Sequence, residues 1–137
     1  MDGYLRAKPW GDLALWKRCQ CPGCGVAHRF YCPNCRLLVG EPSGAQSFSA
    51  DPLPLRVEVV LRDDPSKATG VHAAVLAPES VTVRNFPFEE SVAYDPASTA
   101  VVFPSPSAVA INELRPEELD SLKTLVIVDS KWTKTVH

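Results

Sequence analysis

The sequence has no apolar run near the roughly 20 residues that a transmembrane helix requires. Its first eight residues carry charges with no apolar stretch behind them, so no secretory signal is expected. These absences predict an intracellular protein of the nucleus or cytoplasm, with reduced thiols and no membrane partner. The sequence also lacks a Walker loop and the G-x-G-x-x-G, G-x-S-x-G and H-E-x-x-H motifs. Nucleotide hydrolysis, dinucleotide redox chemistry, serine hydrolysis and zincin proteolysis are therefore unsupported.

Length and charge indicate one globular domain with a small appended module. The chain has 137 residues, of which 45% are hydrophobic, enough for a modest core. Residues 1–36 hold six basic and two acidic side chains, whereas the remainder holds eight basic and fourteen acidic ones. We therefore expect any polyanion to bind to the basic segment, residues 1–36. The alternative is that these charges form an ordinary solvated surface.

Four of the five cysteines form two C-x-x-C pairs, Cys21–Cys24 and Cys32–Cys35, separated by seven residues. Each pair places two sulfurs on one tight bend, and four thiolates satisfy a tetrahedral zinc ion. Disulfides are disfavoured in a reducing compartment, and a redox pair would need a βαβ setting. We therefore predict a structural zinc module over residues 19–40, with a small hairpin across Val26–Tyr31 joining the two bends.

Other residues near these pairs are weaker candidates. Cys19 and His28 are alternative ligands, expected to be bystanders because four spaced thiols already complete a site. A closed four-thiolate site has no position for water, so the metal would fold the module without doing chemistry. Arg29 and Arg36 lie beside aromatic residues, and such mixtures hold phosphates and stack on unpaired bases. Phe30 is expected instead to pack the module against the body.

The rest of the chain alternates strand and helix patterns. Residues 41–54 are rich in turn-forming residues and predict a linker to a body that spans residues 55–137. The predicted strands cover residues 55–61, 81–84, 99–103 and 125–128, and the predicted helices cover 67–76 and 112–122. This alternation predicts an α/β fold with a mostly parallel sheet. Four branched apolar residues in succession at 125–128 also predict a strand buried on both faces.

Details of the first predicted helix carry further expectations. Ser66 is its expected N-cap, and Gly70 indicates close approach of the backbone to a ligand or a strand. His72, among alanines and valines, is expected to be a packed core histidine.

Polar residues follow the last core strand directly. In open α/β sheets, ligands bind outside the carboxyl ends of the strands. The run Asp129-Ser130-Lys131-Trp132 would therefore lie at the mouth of a site, and the alternative is a plain exit from strand to loop. Loops 62–70 and 103–108 are expected to converge on the same edge.

Several of these segments resemble the DTW-domain tRNA-uridine aminocarboxypropyltransferase family. The run at 129–132 is similar to the family signature of a hydrophobic strand, Asp, Gly or Ser, Thr and Trp, with Lys131 in place of threonine. Thr69 and His72 resemble the Ser-Thr-x-x-His-Ala segment without its serine. Phe103–Pro106 is similar to a family phenylalanine-proline turn, and the two C-x-x-C pairs resemble its cysteine-rich N-terminal element.

The resemblance covers about residues 21–134 and implies a SPOUT-like α/β domain, present here in part. It implies transfer of the 3-amino-3-carboxypropyl group of S-adenosylmethionine to N3 of a uridine in the tRNA D-loop (acp3U formation), with Asp129 as the general base. The implied donor-binding residues are Thr69, Pro104, Ser105 and Trp132, and the implied tRNA-binding residues are Arg29, Arg36, Lys131 and Lys134. The alternatives are a non-catalytic zinc-containing RNA- or protein-binding module derived from such an enzyme, and a related methyltransferase.

Overall fold

A computed structural model describes residues 10–41 and 52–131 of the chain, which forms two compact units, residues 1–48 and 49–137. In the first unit a 3-10 helix, Trp10–Leu15, precedes four two-residue strands. These strands are β1 (Cys19–Gln20), β2 (Ala27–His28), β3 (Tyr31–Cys32) and β4 (Leu37–Leu38). Strand β1 pairs antiparallel with β2, and β3 with β4. Each C-x-x-C pair thus bends within its own hairpin, so the single hairpin expected across residues 26–31 was wrong.

The second unit contains a sheet of four parallel strands. Its strands are β5 (Arg56–Leu61), β6 (Val81–Asn85), β7 (Thr99–Val102) and β8 (Thr124–Asp129). Their order across the sheet is β6–β5–β8–β7, and every neighbouring pair is parallel. Helix α1 (Gly70–Leu76) connects β5 to β6, and α2 (Pro116–Ser121) lies between β7 and β8. The predicted α/β class and parallel sheet are therefore confirmed.

The core of this unit lies between α1 and the two strands that it connects. Helix α1 buries its apolar side on the sheet, which is the pattern expected of a βαβ crossover. The buried residues include Val59, Leu61, Val71, Ala74, Val75, Val81 and Val83. In the described part of the chain, no helix has the length and apolar character that crossing a bilayer requires.

The first predicted helix begins later than expected. The Oδ1 atom of Asp64 accepts hydrogen bonds from the amide and the hydroxyl of Ser66, at 2.8 and 2.7 Å. These bonds cap a separate 3-10 turn, Pro65–Lys67, with Asp64 as its N-cap. The expectation that Ser66 caps the helix was wrong, because Thr69 holds the N-cap position of α1. Helix α1 then starts at Gly70. The predicted helix 112–122 is likewise shortened to α2, whose first residue is Pro116.

Strand β8 is less buried than its apolar run predicted. Val126 is buried, but Ile127 on the opposite face is 36% exposed, and Val102 beside it on β7 is 54% exposed. Helix α1 packs on β5 and β6, and α2 contributes no buried residue. The expectation of burial on both faces was therefore wrong, because α1 covers the β5–β6 half of the sheet and α2 buries no residue.

Candidate functional site

The four spaced cysteines form a cluster suited to a tetrahedral metal ion. The sulfur atoms of Cys21, Cys24, Cys32 and Cys35 all lie within 4.8 Å of one another, and those of Cys24 and Cys32 are 3.6 Å apart. Zinc–sulfur bonds of about 2.3 Å place the sulfurs of a tetrahedral site about 3.8 Å apart. Cys19 and His28 are not members of this cluster. The predicted set of four thiols is therefore brought together, and it fits zinc.

The two cysteine pairs share one backbone geometry. The carbonyl of Cys21 accepts a hydrogen bond from Gly25, and the carbonyl of Cys32 accepts one from Arg36, both at 2.8 Å. The residue after each pair has a left-handed backbone, with φ of 74° at Gly25 and 59° at Arg36. Glycine adopts this conformation without strain, whereas arginine does not. Arg36 therefore occupies a position that favours glycine.

Hydrogen bonding shifts the pKa values of two thiols of the cluster in opposite directions. Backbone N–H groups of Cys24 and Gly23 lower the pKa of the Cys21 thiol to about 7, against the opposing effect of burial. A hydrogen bond with the Cys24 thiol, together with burial, raises the pKa of Cys35 to about 12. All of these cysteines are free thiols. A divalent cation would have to displace the protons that they hold.

The arginines predicted to bind RNA lie in different environments. The Nε atom of Arg29 donates to the carbonyl of Trp16 at 3.2 Å, and its guanidinium lies 5.0 Å from the centre of the Phe30 ring. Phe30 also contacts Trp16, with ring centres 5.9 Å apart, so these contacts are within its own unit. Arg36 is half-buried, and its Nε atom has no hydrogen-bond partner among the described residues.

Asp129 ends β8 and is bonded to the start of α1. Its Oδ2 atom accepts a hydrogen bond of 2.6 Å from the amide of Gly70, and the residue is half-buried. A Cβ atom on Gly70 would lie 2.8 Å from this oxygen and 2.7 Å from Cγ1 of Val59. The predicted close approach at Gly70 is thus confirmed, and the neighbours are two strands.

Hydrogen bonds donated by backbone amides join three loops at the carboxyl edge of the sheet. The amide of Arg62 donates to the carbonyl of Asp129 at 3.2 Å, and the amide of Lys131 donates to Oδ2 of Asp63 at 3.0 Å. The amide of Phe86 donates to the carbonyl of Leu61 at 2.8 Å. Loops 62–70 and 129–131 therefore meet as expected. The loop after β6 joins them, and its place at this edge is what sequence reasoning missed.

The remaining predicted site residues lie around this edge or outside the described residues. Thr69 is exposed, directly precedes α1 and makes no side-chain cap. Pro104 and Ser105 are exposed in the loop after β7, which begins beside β8 because Val102 pairs with Ile127. Lys131 is exposed, whereas Trp132 and Lys134 lie outside the described residues. His72 is exposed, so the expectation of a packed core histidine was wrong.

Two surface depressions of the second unit lie away from Asp129. One, of about 600 Å³, is at the amino edge of the sheet and is lined by residues such as Arg56, Ser80 and Thr124. The other, of about 260 Å³, is lined by the last residues of β6 and by residues that follow it, including Phe88. Asp129 lines neither. Its candidacy therefore depends on its place at the carboxyl edge, where parallel α/β sheets bind ligands.

A buried carboxylate on β5 forms a cluster that sequence reasoning missed. Glu58 is 9% exposed, accepts a hydrogen bond of 2.5 Å from the Tyr94 hydroxyl and pairs with Arg84 at 2.9 Å. Burial, followed by the hydrogen bond with Glu58, raises the pKa of Tyr94 to about 12. One signal was available, because an acidic residue inside the apolar run Val57–Leu61 requires a partner when buried.

Comparison with known proteins identifies the relatives of this chain. It is 32% identical over 98 residues to tRNA-uridine aminocarboxypropyltransferase 1 of Xenopus laevis and 30% identical over 99 residues to that of Mus musculus. The matches cover 70% and 71% of this chain but 33% and 32% of those relatives, so the chain spans about a third of their length. No protein-family model and no solved structure matches it. The similarity confirms the expected relationship: the chain belongs to the tRNA-uridine aminocarboxypropyltransferase family.

Proposed function

We propose that this chain acts in the transfer of the 3-amino-3-carboxypropyl group from S-adenosylmethionine to N3 of a uridine in the tRNA D-loop. Its relatives are tRNA-uridine aminocarboxypropyltransferases, which supports an aminocarboxypropyl transfer to a tRNA uridine. In this reaction the new N3–carbon bond forms as the carbon–sulfur bond of the donor breaks. The electron pair of that bond stays on sulfur, methylthioadenosine leaves, and the N3 proton must pass to a base.

Asp129 is the base in this proposal. A carboxylate within hydrogen-bond reach can accept the proton of a weakly acidic N–H group. The Gly70 amide binds Oδ2, and this single short bond fixes the orientation of the carboxylate at the carboxyl end of β8. A carboxylate has about four acceptor positions on its two oxygens, so one such bond leaves others for a substrate. This hydrogen bond is the observation that carries the assignment.

The other site residues take roles around that base. Thr69, Pro104 and Ser105, with Trp132, would hold the donor, and exposure of the first three on loops beside Asp129 supports this. The basic residues would bind tRNA phosphates; these are Arg29, Arg36, Lys131 and Lys134. Neutralising phosphates releases counterions, so RNA affinity should fall steeply with added salt. The protein would act in the nucleus or cytoplasm. Its second unit would be a SPOUT-like domain, and the parallel arrangement of the sheet supports such a fold.

We assign the four-thiol cluster to structural zinc. The four cysteine sulfurs are enough to fill a tetrahedral coordination shell. Zinc is bound by four cysteines in closed sites that stabilise small modules. The ion would take no part in the transfer. Its contribution would be to fold the unit that carries Arg29 and Arg36.

The test of the catalytic assignment compares Asp129→Asn with Asp129→Ala in the zinc-loaded chain. The asparagine oxygen can still accept the Gly70 amide, but the side chain cannot take the N3 proton as a carboxylate does. We therefore expect Asp129→Asn to keep the calorimetric heat of S-adenosylmethionine binding while its formation of modified uridine, measured by mass spectrometry, falls about 10²–10⁴-fold. Asp129→Ala should lose product and also destabilise α1, because the amide of Gly70 loses its partner.

Other outcomes would contradict the proposal at separate points. If Asp129→Asn forms product at the wild-type rate, Asp129 is not the base. If well-folded, zinc-loaded wild-type protein gives no heat with S-adenosylmethionine, the chain is not a transferase by itself. Binding of tRNA without donor binding would favour a non-catalytic zinc-containing RNA-binding module, a candidate that the four-thiol cluster supports. S-adenosylhomocysteine as by-product would indicate a methyltransferase.

A further inference from the structure

We infer that Arg62 and Phe86 form a stacking platform for an unpaired nucleobase at the carboxyl edge of the sheet. This inference rests on the proposed function, because it supplies a contact for a base of one of the two substrates. Phe86 directly follows β6 and is 48% exposed, although it is a large apolar side chain. The Arg62 guanidinium lies over its ring, 5.3 Å from the ring centre.

The platform lies one residue beyond the last row of the sheet. Leu61 pairs with both Asn85 and Asp129, and the next residues along β5 and β6 are Arg62 and Phe86. The amide of Arg62 is bonded to the carbonyl of Asp129, and the amide of Phe86 to that of Leu61. Phe86 follows β6 and Asp129 ends β8, and these strands lie on either side of β5. The usual spacing of neighbouring strands separates the two residues by about 10 Å. The platform and the proposed base therefore border the same edge.

The segment that carries Phe86 is fixed at both ends. Arg84, two residues before it, and Tyr94, eight residues after it, both bind the buried carboxylate of Glu58. Phe88 contacts the Phe86 ring edge-to-face, with centres 5.7 Å apart and planes at 80°. A ring held in this way loses little freedom when a ligand binds, and preorganisation of this kind increases affinity.

The chemistry of the platform favours a flat aromatic ligand over a phosphate. Arginine planes and phenylalanine rings stack on the faces of unpaired bases, with little dependence on the identity of the base. Four acidic residues lie within four positions of Arg62 or Phe86 in the sequence, and their charge disfavours a phosphate there; these are Asp63, Asp64, Glu89 and Glu90. The shared ligand chemistry is a heteroaromatic base, which could be the adenine of the donor or an unpaired base of the RNA.

The experiment uses Phe86→Leu, which keeps apolar volume but removes the flat ring, and Phe86→Tyr, which keeps the ring. Val109→Ala, at an exposed apolar residue in the loop after β7, is the matched control. The probes are methylthioadenosine in calorimetry and a single-stranded uridine-containing RNA in fluorescence anisotropy, both with the zinc-loaded chain. Phe86→Leu should weaken binding of at least one probe by about 5- to 150-fold, the range for loss of base–aromatic stacking. Phe86→Tyr and Val109→Ala should bind as the wild type does.

The probe that loses affinity identifies the source of the base. The loss should be equal at low and high salt, because stacking releases no counterions, which distinguishes it from loss of a phosphate contact. Wild-type affinity of Phe86→Leu for both probes would overturn the platform while the proposed function stands. If the wild-type protein binds neither probe, the proposed function fails and the platform fails with it.

Discussion

At the residue scale, Arg36 and Gly25 occupy matching positions after the two cysteine pairs. Both have a left-handed backbone and donate to the first cysteine carbonyl of their pair. Because a Cβ atom strains this conformation by about 1–2 kcal/mol, Arg36→Gly should raise the free energy of unfolding of the zinc-loaded first unit by about 1 kcal/mol.

The reciprocal variant provides the control for this prediction. Gly25→Ala should lower the same free energy by a similar amount, although no atom lies within 4 Å of the added Cβ, so any loss reports the backbone alone. Denaturant titration with zinc in excess measures both. A loss of stability in Arg36→Gly would mean that the half-buried guanidinium contributes more than the strain costs.

The second prediction at this scale concerns Gly70→Ala, whose effect on stability should be opposite to the one that helix propensity predicts. Gly→Ala in a helix ordinarily stabilises by about 0.5–1 kcal/mol. Here the added methyl group would lie under 3 Å from Asp129 and Val59, so Gly70→Ala should instead destabilise the second unit by about 1–3 kcal/mol.

Chemical denaturation followed by circular dichroism measures the effect at Gly70. Thr69→Ala is the matched control, because Thr69 is exposed and makes no capping bond, and its effect should stay within about 0.5 kcal/mol. Stabilisation by Gly70→Ala would show that α1 can move away from the end of β8 at little cost.

At the scale of elements, the Glu58 cluster attaches the segment after β6 to the central strand β5. Tyr94 is bound to the Glu58 carboxylate, and the pKa of its hydroxyl is raised from 10.0 to about 12. Tyr94→Phe should therefore destabilise the second unit by about 2 kcal/mol, because a buried charged acceptor loses a donor.

The pH dependence of this link has a definite sign. Between pH 10 and 12 the folded protein holds a proton on Tyr94 that the unfolded chain has lost. The contribution of Tyr94 to stability is thus complete below pH 10 and decreases as the pH rises through that interval. Absorbance titration of tyrosinate should show a late component that Tyr94→Phe removes and Tyr31→Phe retains. A late component that persists in Tyr94→Phe would assign it to another tyrosine.

The sequence predicted the elements better than their ends and their burial. Apolar runs located all four strands of the sheet, and C-x-x-C spacing located the thiol cluster, because both signals are local. The start of α1 was missed because Asp64 caps a separate 3-10 turn before it, Pro65–Lys67. The exposure of Ile127 was missed because burial depends on which strands a helix covers. The pattern of apolar residues within β8 carries no information about that. The bonds from Asp129 to Gly70 and from Tyr94 to Glu58 link residues distant in sequence.

At the scale of the whole molecule, the two units have different sources of stability. The second unit buries apolar side chains of α1 against strands β5 and β6. In the first unit, a cluster of buried residues consists of Cys21, Cys32 and Val39, with Cys35 packed against it. Trp16 is also buried in this unit, but two of the three buried residues of the cluster are metal ligands in our proposal, and small modules of this kind depend on their metal.

Metal removal should therefore unfold the first unit and leave the second folded. Cys32→Ser, or a chelator, should abolish zinc binding. The NMR amide signals of Val26 and Val39 should then move to the chemical shifts of an unfolded chain. The signals of Val59 and Val83 in the sheet should persist. Cys19→Ser is the matched control, because Cys19 is an exposed cysteine outside the cluster and should leave both zinc content and spectra unchanged. Acidification should mimic the chelator, because protons compete with zinc for the thiolates. Preserved dispersion at Val39 without metal would show that packing alone folds this unit.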